Sequence, residues 1–242
     1  MIGDVRHMLQ QIRLAIKGDV VMTNELQDAM GDIFDARVPQ PWLVTPGGDE
    51  FSWLYPTLPS WFKSLQERDQ QDRGWLEGIV PKSFWMAGFF NPQGFLTAMR
   101  QEVTRKHKAE MWALDEVQYF NQVTPFEKPE AVKERPDEGV YVHGLVMDGA
   151  RWQKNKTDGT LAESMPKVPF SNLPVLHVTA MKKAGLDERK AMFKPNGAYE
   201  CPVYRYAART DRYLVFMAKL VTKDHKPIHW TLRGVALLCV NH

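Results

Sequence analysis

Residues 140–145 read VYVHGL, and this short stretch decides the fold class of the second part of the chain. Two valines and a glycine alternate with tyrosine, histidine and leucine. An alternation with a period of two is typical of a β-strand, because successive side chains of a strand point to opposite faces of its sheet. From about residue 115 onward, this period replaces the helical period of 3.6 that governs the first part of the chain.

Further strands are predicted on the same grounds at 175–180, 198–204, 213–220 and 229–240. The last of these is apolar on both faces over residues 235–240, which is typical of a fully buried strand. Gly234 lies within it and indicates a bend or a bulge. Polar segments at 153–160, 182–190 and 223–226 separate the predicted strands.

Apolar residues of the first part recur at spacings of three and four, which is typical of amphipathic helices. On the first helix these residues are Ile2, Val5, Leu9, Ile12 and Ile16. Gly18 is expected to end this helix, and Thr23 or Asn24 to cap the second one. A loop is predicted over residues 42–55 and a third helix over 59–76. Asn91 followed by Pro92 is the expected start of a fourth helix.

Helices come first and strands follow, without alternating βαβ units, so the predicted fold class is α+β. We assign the helical part to residues 1–114. Residues 115–242 are assigned to a mostly antiparallel sheet or small β-barrel. A chain of 242 residues is long enough to bury a substantial core in one large domain or two small ones.

Charge and composition argue against several classes of function. The 31 basic and 29 acidic residues leave a net charge of +2, too small to attract nucleic acid or an anionic membrane over a long range. No run of about 18 apolar residues occurs, and the N-terminal residues lack the pattern of a signal peptide. The two cysteines, Cys201 and Cys239, favour a reducing compartment. We expect a cytoplasmic protein without nucleic-acid or membrane partners.

Motifs for nucleotide binding and nucleophilic catalysis are missing from the sequence: neither GxxxxGK[ST], nor GxGxxG after a strand, nor GxSxG occurs. Residues on predicted strands that could converge on a metal are His143, His177, His229 and Cys201. No CxxC or HExxH spacing supports such a site. Asp148 and Glu163 could form an acid–base pair, but loop carboxylates are usually solvated. We therefore predict no catalytic, cofactor-binding or metal-binding residues.

Two clusters of side chains allow more than one interpretation. The basic cluster comprises Arg100, Arg105, Lys106, His107 and Lys108. We interpret it as a solvated helix face rather than a phosphate-binding surface, because acidic neighbours dilute it. The aromatic cluster comprises Trp85, Phe89, Phe90 and Phe95. We interpret it as core or as a docking surface rather than as a ligand platform.

Several blocks of the sequence resemble the C-terminal region of dynein heavy chains, in the family's order and over essentially the whole sequence. They are 15–18, 21–22, 84–97 (FWMAGFFNPQGFLT), 139–145 with 149–152, 163–167 (ESMPK), 201–204 (CPVY) and 229–239 (HWTLRGVALLC). Residues 91–103 are most similar to outer-arm axonemal chains of the gamma type.

The resemblance implies a place in a larger machine. In that family this region follows the sixth module of an AAA+ ring and lies across one face of the ring, as a helical part followed by a small β-barrel. ATP and Mg²⁺ are bound by upstream modules, and microtubules by an upstream stalk. The resemblance thus implies a regulatory and structural domain without its own cofactor. It would pack on the ring of the same heavy chain and modulate ATP-driven motility in the axoneme of cilia or flagella.

The predicted contact with the ring is made by one face of the first helix, including Ile2, Val5, Leu9 and Ile12. A high content of large aromatic residues, with 8 tryptophans and 12 phenylalanines, also suggests an extensive contact surface. The alternative is a stand-alone β-barrel module that binds a peptide or a small ligand. A third possibility is an enzyme whose site in the barrel carries no recognisable motif.

Overall fold

The structure is a computed structural model that describes residues 2–44, 57–154, 159–182 and 197–239. Most of the predicted loop at 42–55 lies outside the described residues. So do residues 155–158 and 183–190 of the predicted polar segments, and the last residue of the predicted strand 229–240. The chain forms two compact units, which divide between Asp69 and Gln70. We call them unit 1 and unit 2.

The helices and strands of the described residues have the following bounds. The helices are α1 (Ile2–Lys17), α2 (Asn24–Phe34), α3 (Leu58–Leu76), α4 (Pro92–Lys106) and α5 (Pro227–Leu232). The strands are β1 (Phe84–Trp85), β2 (Val117–Val123), β3 (Val140–His143), β4 (Val146–Asp148), β5 (Ala150–Lys154), β6 (Gly159–Glu163), β7 (Phe170–Asn172), β8 (Leu176–Lys182), β9 (Ala198–Tyr204), β10 (Leu214–Val221) and β11 (Ala236–Leu238). None of these helices is both long enough and apolar enough to cross a membrane.

Local signals set three helix ends where the sequence predicts them. α1 ends at Lys17, directly before Gly18. The Thr23 side chain caps α2 by accepting a hydrogen bond of 3.3 Å from the backbone N–H of Leu26. Asn91 caps α4 in the same way, accepting from the N–H of Gly94 at 2.9 Å. Each cap satisfies a backbone donor that the first turn of a helix leaves without a partner.

Unit 1 has a small aromatic core. Trp61 of α3 is fully buried and stacks on Trp42, with 5.5 Å between ring centroids. Phe62 packs edge-on against both rings. Val5 of α1 and Val38 complete the buried set. Large aromatic side chains bury much apolar area per residue, so they can hold a small helical unit together.

Unit 2 contains three sheets and α4. One sheet has the strand order β1-β3-β8-β2, another β10-β9-β11-β4-β7, and β5 pairs with β6. Most pairings are antiparallel, but β1–β3 and β11–β9 are parallel. α4 contributes Leu96, Met99 and Val103 to a core that both larger sheets share. The α+β class and the helical N-terminal part are confirmed, whereas the boundary at 114/115 stays a prediction.

The predicted barrel is not confirmed, because none of the three sheets in the described residues is closed. The four- and five-stranded sheets approach each other at β2 and β10, where a side chain takes the place of a strand ladder. The buried Asn121 of β2 donates to the backbone carbonyl of Lys219 at 3.0 Å and accepts from its N–H at 2.7 Å. One amide side chain therefore makes both backbone bonds that a paired strand residue would make there.

The prediction of one long strand at 229–240 is wrong in its first half, because residues 229–232 belong to α5. In the second half, the strand β11 has only three residues. A strand would place Ile228, Trp230 and Leu232 on one face. In the structure Trp230 is fully buried, whereas Ile228 and Leu232 are exposed. Pro227 at the first helical position favours this turn of helix, because a residue at that position needs no N–H partner. The chain bends at Gly234, as predicted.

Candidate functional site

The aromatic cluster of the sequence lies mainly in the core of unit 2. Phe89 and Phe95 stack at 4.3 Å between ring centroids, and Phe84 lies 4.8 Å from Phe95. Trp75 of α3 packs on the same group, 5.0 Å from Phe84. Phe90 is the member that remains exposed. The interpretation of this cluster as core is thus confirmed for most of its members.

A side-chain amide positions the neighbouring Trp85. Gln71 of α3 accepts a hydrogen bond of 2.8 Å from the backbone N–H of Trp85 and donates one of 3.4 Å to its carbonyl oxygen. On its other edge, β1 pairs with β3, where Trp85 faces His143. The short strand β1 is therefore hydrogen-bonded to a side chain of α3 on one edge and to β3 on the other.

Members of the basic cluster contact other groups of the same unit. Lys106 lies 3.7 Å from Glu102 one turn earlier, and the guanidinium of Arg100 lies 5.2 Å from the ring of Tyr119. Arg105 donates to a backbone carbonyl of its own helix. These contacts hold the side chains along α4 and beside it, which fits the interpretation of a solvated helix face.

His107 caps the C-terminal end of α4 and is surrounded by acidic and aromatic groups. Its Nδ1 lies 2.9 Å from Glu110, and its Nε2 lies 2.5 Å from Glu138. Its ring stacks on Trp112 at 4.1 Å between centroids. The hydrogen bond to Glu110, followed by that to Glu138, raises the pKa of His107 above its ordinary value, while burial opposes the change. The contact with Glu138 connects the end of α4 to the segment before β3.

The four side chains considered for a metal site do not form one group. Nδ1 of His143 shares a hydrogen bond of 2.8 Å with the Ser83 hydroxyl, and Nε2 of His177 lies 2.8 Å from the Glu138 carbonyl oxygen. Since that carbonyl can only accept, His177 is the donor. Cys201 is fully buried, and burial raises the pKa of its thiol far above the ordinary range. Only His229 of the four belongs to a potential ion-binding group of the described residues.

The burial of His143 predicts a dependence of stability on pH. Burial lowers the pKa of His143 from 6.5 to about 4. Between these values the unfolded chain binds a proton that the folded chain does not, so the free energy of unfolding falls as the pH falls from 6.5 toward 4. At pH 5 we expect a loss of up to about 2 kcal/mol relative to pH 7.5.

Urea unfolding of the wild type and of His143→Gln at both pH values measures this contribution. His107 acts in the opposite direction, since its raised pKa stabilises the fold as the pH falls. The wild type and the variant both retain His107, so its effect cancels in the comparison. The wild type should lose more stability on acidification than the variant. Equal losses in the two proteins would show that His143 is not responsible.

Asp148 and Glu163 have different ion-pair partners. Asp148 forms an ion pair with Arg209, which also donates a 2.6 Å hydrogen bond to the Gly234 carbonyl. Glu163 lies at the end of β6, with its Oε1 3.3 Å from Nε2 of His229 and 3.9 Å from Nε2 of His225. In the described residues, this is the one group of histidine, cysteine and acidic side chains close enough to share an ion. The sequence signal for it is the HxxxH spacing of 225 and 229.

The residues predicted to contact the ring divide into two pairs. Val5 and Ile12 are buried, with 5% and 6% exposure, and Val5 belongs to the aromatic core of unit 1. Ile2 is 38% exposed and Leu9 is half-buried. Residues seven apart lie on nearly the same side of a helix, so Ile2 and Leu9 share their side of α1 with the exposed Ile16. Leu9 also packs against the buried set of unit 1, so Ile2 is the one of the four predicted residues that is largely in solvent, and the contact with the ring stays a prediction.

Other apolar side chains of unit 1 are also exposed to solvent. We define the exposed apolar set of unit 1 as Ile2, Ile16, Val21, Met30 and Phe34. Phe34 is 89% exposed at the end of α2, and Met30 precedes it by one turn. Single exposed apolar residues are ordinary on a protein surface, but several on one small helical unit indicate an interaction site.

The family model for the C-terminal domain of dynein heavy chains matches residues 1–239, and the chain belongs to this family. This confirms the resemblance seen in the sequence.

The similar proteins are also dynein heavy chains by name. The chain is 45% identical over 239 residues to human dynein axonemal heavy chain 8, and 43% over 235 residues to mouse dynein axonemal heavy chain 5. It is 42% identical over 233 residues to the gamma chain of the flagellar outer arm of Chlamydomonas reinhardtii. These alignments cover 99%, 97% and 96% of this chain, but it spans only 5% of the length of each relative.

Proposed function

We propose that this chain is the C-terminal domain of an outer-arm axonemal dynein heavy chain, where it packs on the AAA+ ring and modulates ATP-driven movement along microtubules. It has no ATP-hydrolysing site of its own in this proposal. ATP and Mg²⁺ bind elsewhere in the heavy chain, and the domain works in the axoneme of cilia or flagella. Relatives named as axonemal and flagellar dyneins support this location.

The observation that carries the docking proposal is the exposed apolar set of unit 1. Covering a large apolar side chain such as Phe34 removes it from water and contributes about 1.5–3 kcal/mol. A partner surface that covers several of these side chains gains enough to dock stably. The ring modules of the same heavy chain are the partner we propose, because a covalent connection keeps them at high effective concentration.

Ring docking is tested by two substitutions in the full heavy chain. An immunoblot of axonemes should first detect this sequence in a polypeptide about twenty times its length, as in the relatives. Ile16→Asp with Phe34→Asp should then weaken docking by about 2 kcal/mol per site, because both carboxylates would have to be desolvated. The readouts are microtubule gliding velocity and ATP turnover, and both should change.

Gln10→Asp is the matched control, because it adds the same charge at an exposed polar position of α1. It should leave gliding and turnover as in the parent. Neither set of substitutions should change the stability of the 242-residue chain by more than about 0.5 kcal/mol per site. Wild-type gliding and turnover in the double variant would exclude this surface as the docking site.

A second candidate function is peptide or ligand binding by unit 2. An open groove of about 1200 Å³ lies beside β3 and β8, with Trp112, Phe126 and Tyr141 on its walls. Charged side chains of both signs also line it: Lys133, Glu134, Arg135, Asp137 and Glu138. Aromatic walls with charges of both signs suit a peptide that carries apolar and charged side chains. This function would gain support if the immunoblot detected a free polypeptide of 27.9 kDa.

A further inference from the structure

Two imidazole rings and a carboxylate converge where the end of β6 meets α5. The rings of His225 and His229 stack at 4.1 Å between centroids with an interplanar angle of 18°. Their Nε2 atoms face the same oxygen, Oε1 of Glu163, at 3.9 and 3.3 Å. The candidate ligand atoms of all three side chains lie within 4.8 Å of one another.

Such an arrangement favours a cation. A ring nitrogen without a proton presents a lone pair to the carboxylate oxygen and is repelled by it, whereas two parallel imidazolium rings would repel each other. Nε2 of His229 is shielded from solvent and makes no hydrogen bond with the described residues. A positive charge placed between the three acceptor atoms would remove this repulsion.

We propose that Glu163, His225 and His229 bind a divalent transition-metal ion of the zinc class. Two imidazole nitrogens and one carboxylate oxygen form a ligand set that zinc uses in proteins, with water in the remaining position. A bond length of about 2.0–2.1 Å puts neighbouring ligand atoms of a tetrahedral site about 3.4 Å apart. The Glu163–His229 distance of 3.3 Å already fits. His225 has to approach Glu163 by about half an ångström, and its ring, now stacked nearly parallel to that of His229, has to turn so that both lone pairs point at the ion.

The surrounding structure holds the two elements that carry the ligands. Trp230 is fully buried and packs edge-on against both rings, 5.6 Å from His225 and 5.0 Å from His229. Opposite them, the Glu163 backbone is held by its pairing with Ala150 in the β5–β6 ladder. The side chains therefore meet from two elements that the core already orients, and a bound metal would cross-link α5 to β6.

Arg233 is the competing group. Its Nη1 lies 3.5 Å from the same Oε1 of Glu163, so its guanidinium satisfies part of the negative charge and repels an incoming cation. Removing this guanidinium is expected to strengthen metal binding. If Glu163 and Arg233 formed only a structural ion pair, removing the guanidinium would not strengthen metal binding. A variant at Arg233 therefore distinguishes a metal site from a structural ion pair.

Calorimetric titration of the 242-residue chain with ZnCl₂ tests the proposal. The wild type should bind one equivalent, and His225→Ala or Glu163→Gln should weaken binding by about tenfold or more. Arg233→Gln should bind more tightly than the wild type. Mg²⁺ and Ca²⁺ should not bind, because they prefer oxygen ligands. His7→Ala, which removes an exposed histidine of α1, is the matched control and should bind like the wild type.

A second measurement keeps the test decisive if a variant is poorly folded. Co²⁺ added to the wild-type protein should give the visible absorption bands of a four-coordinate nitrogen and oxygen site. His225 is 41% exposed in its side chain, so His225→Ala should fold and should lose these bands. The proposal is overturned if the wild type binds no stoichiometric metal, if its Co²⁺ spectrum shows no imidazole ligation, or if His225→Ala binds zinc as tightly as the wild type.

Discussion

Gly139→Ala is expected to lower the free energy of unfolding of unit 2 by about 2–5 kcal/mol. Gly139 precedes β3 with a φ of +76°, a conformation that costs a residue with a Cβ about 1–2 kcal/mol. Its Cβ would also lie 2.2 Å from the carbonyl oxygen of Val178 and 2.8 Å from the Cα of Thr179. These are backbone atoms of β8, so the clash is relieved only by separating β3 from β8.

Gly78→Ala is the matched control for this effect. Gly78 belongs to the same unit and has a φ of +89°, but no described atom lies within 4 Å of the position that a Cβ would take there. It should lose only the conformational cost of about 1–2 kcal/mol. Urea unfolding, followed by circular dichroism, measures both variants. If the two glycines cost the same, the close approach of β3 and β8 at Gly139 is wrong.

Asn121→Leu is expected to destabilise unit 2 by about 2–5 kcal/mol, since it removes both hydrogen bonds to Lys219 and leaves a backbone N–H and a carbonyl in the interior without this partner. Leucine has the same branching and the same number of side-chain heavy atoms as asparagine, so the substitution leaves no cavity. We also expect weaker protection of the β10 amides from hydrogen exchange, because β10 loses its connection to β2.

Gln122→Leu introduces the same side chain at the next position of β2, where the residue is exposed. It should change the free energy of unfolding by no more than about 0.5 kcal/mol. Thermal and urea unfolding of both variants provide the comparison. A loss in Asn121→Leu no larger than in Gln122→Leu would show that the two sheets do not depend on this side chain.

Features set by neighbouring residues were predictable from the sequence, as Thr23 and Asn91 show. Each cap needs only its own side chain and the first turn of the helix that follows. The segment 229–240 failed because its alternation fits a strand as well as a short helix. What decides between them is the burial of Trp230 in a core built by strands far away in the sequence.

The candidate sites also depend on contacts between residues that are far apart in the sequence. His225 and His229 could have been paired from their spacing of four, but Glu163 lies more than 60 positions earlier. Its place beside them depends on how β6 and α5 pack. The ring-contact hypothesis, which stays a prediction, likewise could not separate the seam of Ile2 and Leu9 on α1 from the buried seam of Val5 and Ile12. Both seams repeat every seven residues, and only the fold of unit 1 distinguishes them.

The strand order of the five-stranded sheet has a consequence for synthesis on the ribosome. β11 lies between β9 and β4, although every other strand of that sheet precedes it in the sequence. The middle of the sheet is therefore made last, and β9 and β4 wait with unpaired edges until Leu238 leaves the exit tunnel. Unit 2 cannot complete its fold before that point of translation, and a nonsense codon before Ala236 would release a polypeptide with two open strand edges for chaperones and proteases to clear.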